Sequence, residues 1–415
     1  MKFIADFHLH SKYSRATSKN MDLENLDRWA KIKGIRVLST GDFTHPEWFK
    51  NLKEKLEPAE ESLFRLKTNH SETRFILTTE ISCIYSKKER VRKIHIIVFA
   101  PSFEAVEKIN THLGWIGNLK SDGRPILGLD AKELAKIVLD VSESCFIVPA
   151  HIWTPWFSLF GSRSGFDSIE ECFEEYSKYI FALETGLSSD PEMNWRLSAL
   201  DKITLISNSD SHSPAKIGRE ANVFDTEISY PAIIEAIKSR NPQKFLYTIE
   251  FFPQEGKYHY DGHRNCQVNI HPQETKKYNN ICPNCRKPLT IGVLNRVEQL
   301  ADRKAGFKPE NAIPFKSLIP LEEIIADALG VSPGTKQGIQ EYNNLIKKFG
   351  NELNILLEVS ESDLRAATLP EIGEGIVKVR GGKIQIEPGY DGVYGKIKIF
   401  GEEGKKLSSR QKTLF

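Results

Sequence analysis

No apolar run in this 415-residue chain approaches the roughly 20 residues that a membrane-spanning helix needs, which argues against an integral membrane protein. Internal repeats and long low-complexity segments are also missing, so neither a repeat array nor a largely unfolded chain is indicated. The chain enters a strand at once (KFIADFHLH), which leaves no space for a signal peptide and predicts a cytoplasmic, nucleoid-associated protein. Cysteine is scarce: six residues, of which Cys83, Cys145 and Cys172 stand singly in apolar surroundings as buried small hydrophobes. Neither sign of charge dominates, the formal net charge being +2. Residues 251–308 nevertheless carry 10 basic and 5 acidic side chains against 33 and 35 in residues 1–250, a local excess that fits a polyanionic partner or a solvated face.

What is present is a series of histidines and carboxylates at the ends of hydrophobic strands. Asp6, His8 and His10 open it in DFHLHS, followed by Asp42 and His45 in LSTGDFTH and Glu80 in FILTTE. His95 in RKIHIIVFA, His151 in CFIVPAH, and Asp210 with His212 in LISNSDSH complete it. A lone histidine of this kind is more often a core residue, but six stations in order are hard to explain as packing. Strand ends are where α/β barrels place their chemistry. Nitrogen and oxygen ligands without cysteine suit a hydrolytic site with several metals. His-Leu-His and Asp-Ser-His each put two ligands on one side of a strand, because side chains alternate with period two. Glu80 can bridge two cations; a single metal with supporting residues is the simpler alternative.

Strands alternate with helices up to about residue 250, which predicts parallel strands: IRVLST, FILTTE, HIIVFA, CFIVPA, FALET and TLISNS. MDLENLDRWAKIKG reads as a helix ending at Gly34, and DAKELAKIVLDVSES as one capped by Asp130. Residues 251–300 form a His- and Cys-rich module. Residues 301–405 are mixed: helices stopping at Gly330 and Gly350, then short strands from about residue 375 joined at Gly381–Gly382 and Pro388–Gly389. Residues 406–415 read as a flexible tail.

The ligand series resembles that of the PHP (polymerase and histidinol phosphatase) phosphoesterases. The resemblance implies a distorted (β/α)7 barrel with two or three divalent metals (Zn, Mg or Mn). Its ligands would be His8, His10, Asp42, His45, Glu80, His95, His151, Asp210 and His212, with Asp210, His212 and Glu80 also placed at the catalytic step. TGDFTH departs from the family by spreading a commonly adjacent Asp-His pair, so either Asp42 or His45 is the ligand there.

His263-Arg-Asn-Cys266 and Cys282-Pro-Asn-Cys285 are two knuckle-like pairs with 15 residues between them, the spacing of one closed structural zinc site. His259 or His271 is an alternative fourth ligand, and a redox-active CxxC is an alternative for CPNC alone. Arg286 stands where a knuckle often has glycine and must adopt that turn at some cost. A PHP barrel followed by GHRNC, PQET, CPNC, LTIGV, RVEQLADR and PGYDGVYG is similar to endonuclease Q, the PHP-type DNA repair nuclease family of archaea and some bacteria. That resemblance, from Met1 to about residue 400, implies double-stranded DNA with uracil, hypoxanthine, xanthine or abasic sites as substrate, hydrolysed 5′ to the lesion.

Trp153, Trp156 and Phe157, after His151, either stack on extruded or neighbouring bases or pack in the core. Arg163 and Arg219 either meet phosphates or face solvent. Gln411, Leu414 and Phe415 form a terminal QxxLF that resembles the pentapeptide by which bacterial proteins dock on the DNA sliding clamp. A monomer is expected. Two other readings remain at this point: a PHP phosphatase for a small phosphomonoester, and a clamp-tethered, non-catalytic DNA-binding scaffold.

Overall fold

The computed structural model describes residues 1–68 and 71–400. Among the described residues two compact units form: Met1–Lys31 with Ile35–Glu250 and Ile291–Lys316, and Ile32–Gly34 with Phe251–Thr290 and residues 317–400. Residues 291–316 therefore pack with the first unit, although they follow the cysteine-rich segment.

Seven strands succeed one another around the first unit. Lys2–Asp6 runs parallel to Val37–Ser39, which runs parallel to the start of Arg74–Lys87. Arg74–Lys87 turns through Lys88 and Glu89, both at positive φ (52° and 61°), into the antiparallel strand Arg90–Ala100. Two successive left-handed residues make a tight hairpin turn whose twist matches the strands it joins. Arg90–Ala100 is antiparallel to Phe146–Pro149 as well. The Ile152 N–H then donates to the Glu184 carbonyl (3.1 Å), reaching Ala182–Glu184, which is parallel to Thr204–Ile206. A bridge between Leu9 and Ser211 returns to the first strand. The result is a distorted PHP-type α/β barrel with one reversed strand.

That reversal corrects the expectation of uniformly parallel strands ending at their ligands. FILTTE continues into ISCIYSK and pairs with the strand containing HIIVFA, so Glu80 and His95 lie within strands, with Ser82 opposite His95. The remaining elements follow their local chemistry. Phe7 alternates with Asp6 and His8, and its ring sits 5.6 Å from Phe99 in a core cluster with Phe146, Phe224 and Phe245. Helix Leu23–Lys33 stops at Gly34 (φ 89°), and Ala131–Val141 is capped by the Asp130 carboxylate, which accepts from the Lys132 N–H at 2.8 Å.

In the second unit, helices Leu321–Leu329 and Lys336–Phe349 end at Gly330 and Gly350. Glu352–Leu357, Glu361–Ala367 and Pro370–Arg380 follow. Pro370–Arg380 corrects the expected strand GIVKVR. Proline opens its first turn, and Ile372, Ile376 and Val379 recur at helical spacing on a buried face. Beyond that helix, among the described residues, Gln385–Glu387 and Lys396–Lys398 pair as strands. Among the described residues, no helix is long and apolar enough to cross a membrane.

Candidate metal centre

Glu80 stands at the centre of the barrel site. Its Oε1 lies 2.7 Å from His95 Nδ1 and 2.9 Å from His151 Nε2. Its Oε2 lies 3.4 Å from His10 Nε2, 3.7 Å from His8 Nε2 and 3.0 Å from Arg124 Nη1. Asp210 Oδ1 closes the second side, 3.2 Å from His10 Nε2 and 3.7 Å from His8 Nε2. Two donor groups result, His8–His10–Asp210 and Glu80–His95–His151, each with its ligand atoms within 4.8 Å of one another.

Each histidine of the first pair is aimed by a carboxylate on its far nitrogen. His8 Nδ1 contacts both oxygens of Glu184 (3.0 and 3.1 Å), which also accept from the Asn208 amide and the His151 N–H. His10 Nδ1 lies 3.1 Å from Asp42 Oδ1, and Asp42 Oδ2 accepts from the Ser11 N–H and the Ser11 and Ser14 hydroxyls. An N–H fixed at Nδ1 leaves Nε2 as a free lone pair pointing inward.

These residues fit a divalent cation. His8 Nε2, His10 Nε2 and Asp210 Oδ1 are buried without a hydrogen-bond partner, an arrangement that costs about 1–3 kcal/mol per atom unless something fills it. The field points the same way. Burial opposes charge on His8 and His10, yet Glu184, Glu80, Asp210 and Asp42 around them raise both well above the ordinary imidazole value. Burial also opposes charge on Glu80, but His95, Arg124 and His8 hold it well below the usual carboxylate range. Burial pushes His95 down to about 4, against the pull of Glu80.

Several expected site residues stand elsewhere. Asp42 belongs to neither donor group, because both its oxygens are spent on His10 and the serines. His45 is also outside them, stacked on Tyr13 at 4.4 Å. The choice between Asp42 and His45 as ligand thus gives way to a supporting role for Asp42. His212 is a neighbour: its ring lies 4.5 Å from that of His10, and its Nδ1 is 3.0 Å from the Asp210 carbonyl. Trp153 is buried, donates from Nε1 to Asn194 at 2.8 Å and packs on Phe160, which corrects the expected base contact to core packing. Trp156 is half exposed, with Lys93 Nζ 5.0 Å from its ring centre. Arg163 is exposed and lines a cleft with Lys88 and Arg90. Arg219 donates to the carbonyls of Ser209 (2.9 Å) and Asp210 (3.4 Å), so it braces the Asp210 loop.

Sequence reasoning misses two residues. Glu184 ends a short strand within FALET and so carries the strand-end signal already applied to its neighbours. Arg124, in SDGRP, carries none.

In the second unit His263, Cys266, Cys282 and Cys285 bring four ligand atoms within 4.8 Å, as structural zinc requires. Gln267 (φ 53°) and Arg286 (φ 65°) each follow the last ligand of their pair in the left-handed conformation, the turn that Arg286 had to accept. Burial opposes the thiolate of Cys282, but hydrogen bonds from the backbone N–H groups of Cys285 and Asn284 and from the Cys285 and His263 side chains together bring it down to about 7. His259 and His271 lie outside this group; the His271 ring instead accepts from the Gln273 N–H.

Residues 320–383 match the family model for the MJ0043 C-terminal domain. The uncharacterized protein MJ0043 of Methanocaldococcus jannaschii is 36% identical over 253 residues, 59% of this chain but only 31% of that longer protein. The uncharacterized protein YqxK of Bacillus subtilis is 30% identical over 411 residues, covering 96% of this chain and 99% of its own length. Among solved structures, the lesion-specific endonuclease PfuEndoQ of Pyrococcus furiosus matches with a TM-score of 0.86 at 32% identity, over 98% of this chain and 97% of that one. Endonuclease Q in complex with a 27-mer duplex substrate carrying an abasic lesion at the active site gives 0.84 at 31% identity, over 97% of this chain and 98% of that one. Barrel, cysteine-rich module and C-terminal helices are thus matched together along nearly the whole chain, which belongs to the endonuclease Q family.

Proposed function

We propose that the protein is a metal-dependent DNA repair endonuclease that hydrolyses the phosphodiester 5′ to uracil, hypoxanthine, xanthine and abasic sites in duplex DNA. One observation carries the reading: a single carboxylate, Glu80, is shared between two donor groups, one oxygen toward each. Residues His8, His10 and Asp210 would hold one divalent ion (Zn, Mg or Mn) and His95 and His151 another, with Glu80 between them. Bound there, such ions supply an acidified water and positive charge for the phosphoester oxygens.

The chain's own contribution is orientation and access. Glu184 and Asp42 lock the tautomers of His8 and His10, and Arg219 holds the Asp210 loop by its carbonyls. His212, a third exposed at the edge of the cluster, is placed to exchange a proton with a leaving or attacking oxygen. A base inside a duplex cannot reach such a recess, so the lesion nucleotide is extruded, and damaged or mismatched bases cost least to extrude. Trp156 with Lys93, and Arg163 in its cleft, provide a stacking face and cations for the flanking strand. The cysteine module holds one structural zinc and folds a segment poor in apolar residues. Gln411, Leu414 and Phe415 lie outside the described residues; their docking on the sliding clamp is part of this proposal, as are a monomeric state and a place at the nucleoid.

The decisive experiment compares nicking of duplexes bearing each lesion with turnover of para-nitrophenyl phosphate, using defined metals and Asp210→Ala as control. Nicking 5′ to the lesion that Asp210→Ala abolishes is the expected result. Monoester turnover without nicking would make the protein a phosphatase, and neither activity in a metal-loaded protein would leave a DNA-binding scaffold. Removing the last five residues should abolish clamp binding while nicking of free duplex persists.

A further inference from the structure

The centre contains a cation of its own, and its placement is costly to arrange. Arg124 extends over Glu80 with Nη1 3.0 Å from Oε2, and its side chain keeps 27% of its surface open. A guanidinium has five N–H donors in a planar fork. Only this one side-chain bond is made among the described residues, so the other donors are not committed to a second side chain.

The loop that delivers it is fixed on both sides. Asp122 is buried and accepts from the backbone N–H groups of Arg15 and Arg124, both at 3.2 Å. The Gly123 N–H donates to the Tyr13 carbonyl (3.1 Å), and the Gly123 carbonyl accepts from the Thr44 hydroxyl (3.2 Å). A Cβ at Gly123 would sit 2.2 Å from Asp42 Oδ2 and 2.4 Å from the Ser14 hydroxyl, so only glycine passes beside the carboxylate that aims His10. The Pro125 carbonyl accepts from the Ser82 N–H (3.0 Å), and Ile126–Leu127 then joins the strand that bears Glu80. Anchoring the residues before and after the arginine fixes its backbone, and the bond to Glu80 holds its side chain, so less freedom is left to lose on binding.

We infer that Arg124 grips a non-bridging oxygen of the scissile phosphodiester, so that the site works with a built-in guanidinium beside its metals. This assignment rests on the nuclease reading above. Phosphodiester hydrolysis builds negative charge on those oxygens, and a preorganised fork of donors is the side chain best shaped to receive it. A brace for Glu80 would need a positive charge only, and lysine would serve it; a bidentate phosphate grip needs the planar fork.

The test uses full-length wild type, Arg124→Gln and Arg124→Lys, and uracil duplexes whose scissile phosphate is either natural or a neutral methylphosphonate. Affinity is measured in an Asp210→Asn background that halts turnover. With Arg124 present, the methylphosphonate should bind about 10- to 100-fold more weakly, the size of a charge-assisted hydrogen bond. In the Arg124→Gln variant that penalty should shrink by about 10-fold or more, leaving only the part owed to the metals. In the active background, Arg124→Gln should nick about 10²- to 10³-fold more slowly, the loss seen when one transition-state donor is removed, with unchanged metal content and melting temperature. Arg124→Lys should recover only a fraction of that rate. Full recovery by lysine, an equal methylphosphonate penalty in Arg124→Gln, or an additional metal bound in that variant would overturn the assignment. A wild type that nicks none of the lesion duplexes would overturn the nuclease reading and this assignment with it, whereas wild-type nicking matched by Arg124→Gln would overturn the assignment alone.

Discussion

The two ligand clusters of this chain are built on opposite plans. In the cysteine module, four ligands close on one another from two tight turns. In the barrel, ligands lean on second residues: His8 on Glu184, His10 on Asp42, and the Asp210 loop on Arg219. The first plan satisfies all donors and leaves no open position, which suits a fold-stabilising ion. The second leaves inward-facing atoms unspent, which suits chemistry on a guest.

The largest effect expected from breaking this contrast is at Cys282. Cys282→Ser should lose the zinc, whose binding in comparable small modules is worth about 10 kcal/mol or more. Zinc content should fall by one per chain and residues 251–290 should become protease-sensitive, while the barrel's own metal content persists. Glu80→Gln should do the reverse. Nicking should drop on the order of 10⁴-fold with the cysteine-bound zinc retained, since the shared carboxylate is the one group both donor sets need.

Glu250 sharpens the comparison, because it is as buried as Glu80 but, among the described residues, no cation lowers it. Thr248 and Thr185 hydroxyls contact it at 2.5 and 2.9 Å, and desolvation pushes it up to about 8. The folded state therefore keeps a proton that the unfolded chain releases near its ordinary value of 4.5. Stability should fall as pH rises from about 4.5 to about 8 and then level off, by at most about 4–5 kcal/mol in total. Glu250→Gln should flatten that slope in melting curves recorded across the window; an unchanged slope would assign it to other groups. Glu184→Gln comes next, with a 10- to 100-fold loss of barrel metal affinity read by chelator competition, as expected when a ligand's orienting partner is removed. Smallest is the tryptophan pair. Trp156→Ala should weaken lesion-DNA binding by about 1–3 kcal/mol with little change in melting, and Trp153→Ala should chiefly lower melting.

Much of the site can be read from residue type and spacing. His-Leu-His, Asp-Ser-His and the HxxC/CPNC pairs announce themselves because each places its ligands by local geometry alone. What cannot be read depends on non-local contacts. Glu80 and His95 look like strand ends, but a two-residue left-handed turn folds their strands into one hairpin. Asp42 looks like a ligand until Ser11 and Ser14 are seen to consume one of its oxygens. Arg124 is silent in sequence because its position is set by Tyr13, Thr44 and Ser82, all distant along the chain. Helix Pro370–Arg380 reads as strand because its β-branched residues and glycines suggest strands and turns, whereas burial against its neighbours decides for helix.

Asp42, His151 and Asp210 all hold positive φ (49°, 31° and 44°), a backbone state costing non-glycine residues on the order of 1 kcal/mol or more. These residues stand where glycine would relieve the chain. A descendant released from selection for cleavage is free to take glycine at 42, 151 and 210, because the relieved backbone offsets part of what the lost side chain held. The three positions together form a molecular record of whether a relative still cuts.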